Sequence, residues 1–260
     1  MKPAITRTLS RLAPRARHPG VRVLLYHAVG AADPSDRLSL RVPLEAFRAQ
    51  MRLLKEEGYR VVPLRSLLEG GEEGQGQRVA ITFDDGYRDQ LQAAVVLQEF
   101  GYPATFFVIV HSLDGTRHGS HYWEHWKHMD WADLGTLVDR GFEVGAHSMS
   151  HAPLTRCSAA QLLEQVAGAK QQLEARLGRP VLSFSYPHGA YDERVQDVVA
   201  RTGYRLACTS VCGGNRMPAS LLAVRRLEIV GTDRVEDVRR KLQGHYDWLI
   251  PWHTWRAAHA

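Results

Sequence analysis

Val79-Ala80-Ile81-Thr82-Phe83-Asp84-Asp85-Gly86 decides how this chain folds and where its chemistry sits. The apolar run 79–81 reads as a buried strand, and Gly86 lets the backbone turn sharply behind it. Two adjacent carboxylates at a strand end are costly to hold side by side unless positive charge stands beside them. A divalent metal meets that need, with one carboxylate binding the ion while its neighbour stays free as a base. Further on, the strand-like stretch 142–146 runs into His147-Ser148-Met149-Ser150-His151. Two imidazoles and one aspartate make the three-ligand, open-position set of a hydrolytic zinc site.

The same alternation of strand and helix extends in both directions. Toward the N-terminus, 21–26 is an apolar run ending at His27, and Leu44, Phe47, Met51 and Leu54 fall at helical spacing. Short strand and helix signals at 60–62 and 64–68 follow, then a glycine-rich loop at 70–76. Toward the C-terminus, strands are expected at 105–110, 142–146, 181–186, 205–209 and 222–230. Helices are expected at 91–100, 132–140, 162–177, 192–202 and 235–242. The segment 111–130 looks irregular, and a loop that long is more often functional than connective. This order predicts a parallel sheet closed or nearly closed into a barrel, with chemistry at the C-terminal strand ends. His27, Asp84, Asp85, His147 and the turn Pro187-His188 all fall there. A second HxxxH pair, His121/His125, lies in the irregular segment, away from any strand end, and we read it as chance.

With 260 residues and 44% hydrophobic content, the chain can bury a substantial core. Its 33 basic and 28 acidic residues are mostly interspersed, for a net charge of +5. The exception is the start, where Lys2, Arg7, Arg11, Arg15, Arg17 and Arg22 precede the first acid, Asp33. Residues 1–20 therefore read as a basic arm, either a solvated tail or a peripheral contact with an anionic membrane. Residues 21–245 are expected to form the main folded domain and 246–260 a tryptophan-rich end carrying Trp248, Trp252 and Trp255. No motif points to nucleic acid. The arm lacks an apolar signal core and no stretch is long enough to span a bilayer. Three cysteines without CxxC spacing read as reduced thiols, so the expected location is the cytoplasm or the cytoplasmic face of the membrane.

The motifs TFDDGY at 82–87, HSMSHAPL at 147–154 and SYPHGAYD at 185–192, in that order, resemble the polysaccharide deacetylase family. This is the NodB-homology group, or carbohydrate esterase family 4. The opening VRVLLYHAV, the central FEVGAHS and the late VRRLEIVG are similar to its bacterial exopolysaccharide-type branch. The resemblance implies a distorted (β/α) barrel and metal-dependent hydrolysis of N-acetyl groups on a saccharide. It implies Asp84 as general base and Asp85, His147 and His151 as ligands of a divalent metal, zinc above all. It further places Tyr186, Pro187 and His188 at the substrate, where His188 replaces the family's usual aromatic residue. Ser185 stands where an arginine is common, and Arg226 resembles the late-strand arginine that orients the catalytic aspartate. The family's late histidine acid is not recognisable, so His27 takes that role, with a packed, satisfied histidine as its plainer reading. Trp123 and Trp131 are expected either to form a sugar platform or to anchor the long loop. Two other functions stand beside deacetylation: an amidase or deformylase on a small amide, and an inactive carbohydrate-binding homologue.

Overall fold

The protein is described by a computed structural model covering residues 10, 13, 20–69, 77–115, 126–216 and 220–258. Its first strand, β1 (Val21–Tyr26), is buried at every position, as expected of a parallel stave covered on both faces. It runs parallel to β5 (Arg78–Phe83), with Arg22 opposite Val79 and Tyr26 opposite Phe83. The sheet continues, all parallel, through β6 (Thr105–Val108), β7 (Glu143–Ala146), β8 (Ser183–Ser185) and β9 (Leu206–Cys208). Residues 224–229 complete the ring. The Thr209 amide donates to the Val224 carbonyl (2.9 Å) and the Val224 amide to the Ala207 carbonyl (2.9 Å). On the other side, β11 (Leu227–Glu228) pairs with Leu24 and Leu25 of β1. The predicted long strand at 222–230 is thus reduced to a bridge at Val224 and this two-residue pairing.

The barrel is distorted because its staves are short and two fragments graft onto its foot. β4 (Arg60–Val61) extends β5, and β10 (Gly214–Asn215) lies antiparallel to the start of β1. A separate parallel pair, β2 (Ala28–Val29) with β3 (Arg41–Val42), was not expected and closes the 30–40 loop. Helices α1 (Leu44–Glu56), α2 (Gln90–Phe100), α3 (Trp131–Asp139), α4 (Ala159–Leu163) and α5 (Ala169–Leu177) lie outside the ring. A π turn, Glu164–Gly168, separates the last two. Then come α6 (Glu193–Arg201), α7 (Val235–Leu242) and α8 (Ile250–Ala258). Local rules explain several starts: Asp130 and Asp133 form a reciprocal capping box on α3, and the Asp192 carboxylate accepts from the Val195 amide at 2.8 Å. Among the described residues, no helix is long and apolar enough to cross a membrane.

Side-chain alternation along the staves sorts the core into two layers and positions the site. Leu24, Tyr26, Val79, Ile81, Phe83, Ala146, Phe184 and Tyr186 pack outward against the helices. There Tyr26, Phe47, Phe83 and Phe106 form a ladder of rings 4.7–5.9 Å apart. Val21, Val23, Ala80, Phe107, Leu206, Cys208 and Val224 fill the inside. Counting in twos from that inner set reaches His27, Thr82, Asp84 and Arg226. His147 and Ser185 alternate with outward neighbours and share the same lumen. Gly145 is the one inward position of β7 where a Cβ has no room, since it would stand 2.4 Å from the Phe107 ring.

Candidate active site

Asp84 continues β5 past its last paired residue, its amide donating to the Tyr26 carbonyl at 2.9 Å. The side chain is only 2% exposed. Arg226 grips it with two parallel bonds, Nη1 to Oδ1 at 2.7 Å and Nη2 to Oδ2 at 2.6 Å. The Ser185 hydroxyl donates to Oδ2 at 3.0 Å and lies 2.9 Å from Arg226 Nη2. The guanidinium is held in turn by the Thr209 carbonyl through Nε, at 2.8 Å. Burial pushes the Asp84 pKa up, but the charges of Arg226 and then His147 outweigh it, leaving the carboxyl below its ordinary range. Asp84 is therefore an ionised carboxylate held on both oxygens, with Arg226 in the orienting place expected from sequence, but buried rather than facing solvent.

The chain then reverses. Asp85 and Gly86 both take left-handed backbone, with φ of 70° and 71°. A Cβ at Gly86 would press 3.0 Å from Val108 Cγ1, so glycine serves both the turn and the close approach to β6. The turn aims Asp85 at two imidazoles: its Oδ1 lies 3.3 Å from His147 Nε2 and 3.5 Å from His151 Nε2. Burial raises the Asp85 pKa, while the hydrogen bond from His147 and the charge of His151 lower it further, for a net fall. The Tyr87 hydroxyl also hydrogen-bonds Asp85.

His147 Nδ1 lies 2.8 Å from the Ser185 carbonyl. That contact requires the proton on Nδ1 and directs Nε2 at Asp85. Burial lowers the His147 pKa, but the neighbouring Asp84 and Asp85 carboxylates raise it above the ordinary value. His151 moves oppositely, down to about 3, through burial and then the adjacent His147 charge. One oxygen and two nitrogens from Asp85, His147 and His151 all lie within 4.8 Å of one another. Donors bonded to a tetrahedral ion at about 2.0–2.1 Å stand about 3.4 Å apart, so the 3.3 and 3.5 Å separations fit a metal of that kind.

The turn Pro187–Gly189 follows β8, and its central His188 is left-handed (φ 60°, ψ 7°). Its ring packs on His151 with centroids 4.4 Å apart. Burial, followed by the His147 charge, lowers the His188 pKa. His27 faces the same lumen, its Nδ1 4.0 Å from Glu228 Oε1, and its charge acts on both Asp84 and Asp85. Five described residues other than glycine adopt left-handed backbone, and four of them, Asp85, Ser148, His151 and His188, belong to this cluster. Such conformations persist only where surrounding structure enforces them.

Two expected contacts lie elsewhere. Tyr186 alternates with Ser185 and so faces the helices: fully buried, it donates to the Leu222 carbonyl (2.9 Å) and stacks on Tyr191. Its ring cannot meet a ligand at the mouth. Trp131 heads α3, where its Nε1 donates to Asp114 (2.7 Å) and Arg176 covers its ring at 5.1 Å. Trp123 and the His121/His125 pair lie outside the described residues. Trp126, which crowds the same long loop in sequence, is buried and packed there. Its Nε1 donates to Asp33 (2.6 Å), Arg41 stacks on its ring at 4.2 Å, and its edge meets Tyr87. Gln90 was missed; its Nε2 binds the carbonyls of His27 (2.7 Å) and Asp84 (2.6 Å), tying two strand ends together.

Comparison with known proteins bears on the family and the fold. The family profile described as polysaccharide deacetylase matches residues 71–207. The YxkH protein of Bacillus subtilis (strain 168) is 27% identical over 211 residues, covering 80% of this chain and 70% of YxkH. The crystal structure of a polysaccharide deacetylase from Bacillus cereus is 28% identical, with a TM-score of 0.73 over 85% of this chain and 68% of that one. The Streptococcus pyogenes deacetylase PplD, solved with acetate, shares the fold at a TM-score of 0.75 and 23% identity, over 85% and 97% of the two chains.

Proposed function

The chain belongs to the polysaccharide deacetylase family, hydrolases of amide bonds, and on that premise we propose that it removes N-acetyl groups from a saccharide with the help of a divalent metal. The observation that carries this reading is an ionised, arginine-clamped Asp84 beside the converging donors of Asp85, His147 and His151. A carbohydrate-binding protein has no use for a base held charged in that place.

Asp85, His147 and His151 would hold the ion, and their one-oxygen, two-nitrogen set suits zinc. Once bound, such an ion acidifies water and polarises a carbonyl. Asp84 takes the proton of the attacking water, and Arg226 keeps both its oxygens fixed while that happens. The backbone N–H of His188 is assigned to the oxygen that gains charge as the acetamide becomes tetrahedral. His27, across the same lumen, delivers a proton to the departing amine. Acetate and a free amino sugar leave. The partner is an N-acetylated polysaccharide of the kind found in bacterial exopolysaccharide biosynthesis.

Acetate release from an N-acetylglucosamine oligomer tests the assignment. Release should depend on added zinc and stop with chelator. Hydrolysis of small formyl or acetyl amides with the oligomer untouched would replace it with the amidase reading.

A further inference from the structure

The helical run from α4 to α5 is interrupted by the π turn Glu164–Gly168. Its residues, Glu164-Gln165-Val166-Ala167-Gly168, include no proline, so the usual cause of a broken helix is missing. Single π turns inside α-helices gather at functional sites. What this one touches is the bend that carries the second metal-binding imidazole.

Three groups of Gln165 turn from the helix to Met149 and Ser150. Its carbonyl accepts from the Met149 amide at 3.0 Å. Its Oε1 accepts from the Ser150 amide at 3.0 Å, and its Nε2 donates to the Ser150 hydroxyl at 2.9 Å. Gly168 closes the same turn, and a Cβ there would stand 2.8 Å from Met149 Cε. The π turn and the bend are thus fitted to each other by hydrogen bonds and by close packing.

Met149 and Ser150 lie midway between His147 and His151. His147 continues β7, its amide donating to the Val108 carbonyl at 2.9 Å, and its ring is fixed by the Ser185 carbonyl. His151 has no strand beneath it. The chain reaches it through left-handed backbone at Ser148 (φ 63°) and at His151 itself (φ 60°), conformations that surrounding structure must enforce. Within the bend, the His151 amide donates to the Ser148 hydroxyl at 2.9 Å. Gln165 anchors it from outside, binding the residue directly before His151 at both its amide and its hydroxyl. The 3.5 Å separation of His151 Nε2 from Asp85 Oδ1 therefore depends on where Gln165 holds Ser150.

We propose that Gln165, presented by the π turn, is a positioning residue for the metal site: through Ser150 it sets where His151 stands against Asp85 and His147. The inference rests on the reading that those three residues hold a divalent ion, and it assigns Gln165 no contact with ion or substrate.

Zinc titration of the chelator-treated full-length protein tests it, with the visible absorption of added cobalt(II) as a signature of ligand geometry. Gln165→Ala should weaken zinc binding about ten- to a hundredfold, the ordinary effect of losing an orienting partner behind a metal ligand, and should alter the cobalt bands. Gln165→Glu keeps an oxygen acceptor for the Ser150 amide and should recover most of that affinity. Gln165→Met, which keeps length and packing without the hydrogen bonds, carries the same expectation as alanine if the alanine variant does not fold. A merely structural role predicts a lower melting temperature of the metal-free variants with zinc affinity and cobalt bands unchanged, and that result would overturn the proposal. Wild-type protein that takes up neither ion would remove the metal reading itself and this inference with it, an outcome distinct from equal affinity in wild type and variant.

Discussion

With two guanidinium nitrogens on its two oxygens, Asp84 stays ionised where burial alone would favour protonation. Asp84→Asn should cut turnover by about 10²–10⁴, the usual worth of a general base, and leave zinc binding measurable by titration calorimetry. The same substitution strands a buried Arg226, and chemical denaturation should register a loss of about 3–5 kcal/mol. Arg226→Met tests the pair from the other side. Without that positive charge the Asp84 pKa rises, so the acidic limb of the kcat/KM profile should move to higher pH. Because the folded pKa is depressed, the pair's contribution to stability is complete above the unfolded value, near 3.8, and is lost as the pH falls through the lower folded value. His147→Ala should lose both zinc and turnover, which separates ligand from base.

At the scale of elements, alternation along each stave decides which neighbours can share the lumen. Asp84, His147, Ser185 and Arg226 come from four strands, and each lies on the inner side. That regularity was legible in the sequence, and following it would have turned Tyr186 away from the ligand, since Ser185 faces inward. The strand-then-helix order was legible too, because buried parallel staves are written as short apolar runs. What the sequence could not disclose were contacts across the ring and unusual backbone. Gln90 joining two strand ends, Tyr87 reaching Asp85, and left-handed turns at Asp85, His151 and His188 leave no periodic signal. Close approach at Gly145 gives a clean test. Gly145→Ala pushes a methyl into Phe107 and should cost about 1–3 kcal/mol by thermal unfolding.

Over the whole molecule, binding at the mouth should couple to global stability. An ion that binds only the folded chain stabilises it by about 2.7 kcal/mol at a hundredfold excess over its Kd. Zinc added to chelator-treated protein should therefore raise the melting temperature by about 5–10 °C at this chain length, and His151→Ala should abolish the rise. Closure of the ring has a different kind of consequence. The stave that seals it, residues 224–229, is the last to be translated, and it also carries the arginine that clamps Asp84. A nascent chain still on the ribosome, or a fragment clipped upstream of that stave, holds the base and all three donor side chains yet lacks the clamp. A chain cut short before that stave should accordingly release acetate more slowly than the intact protein.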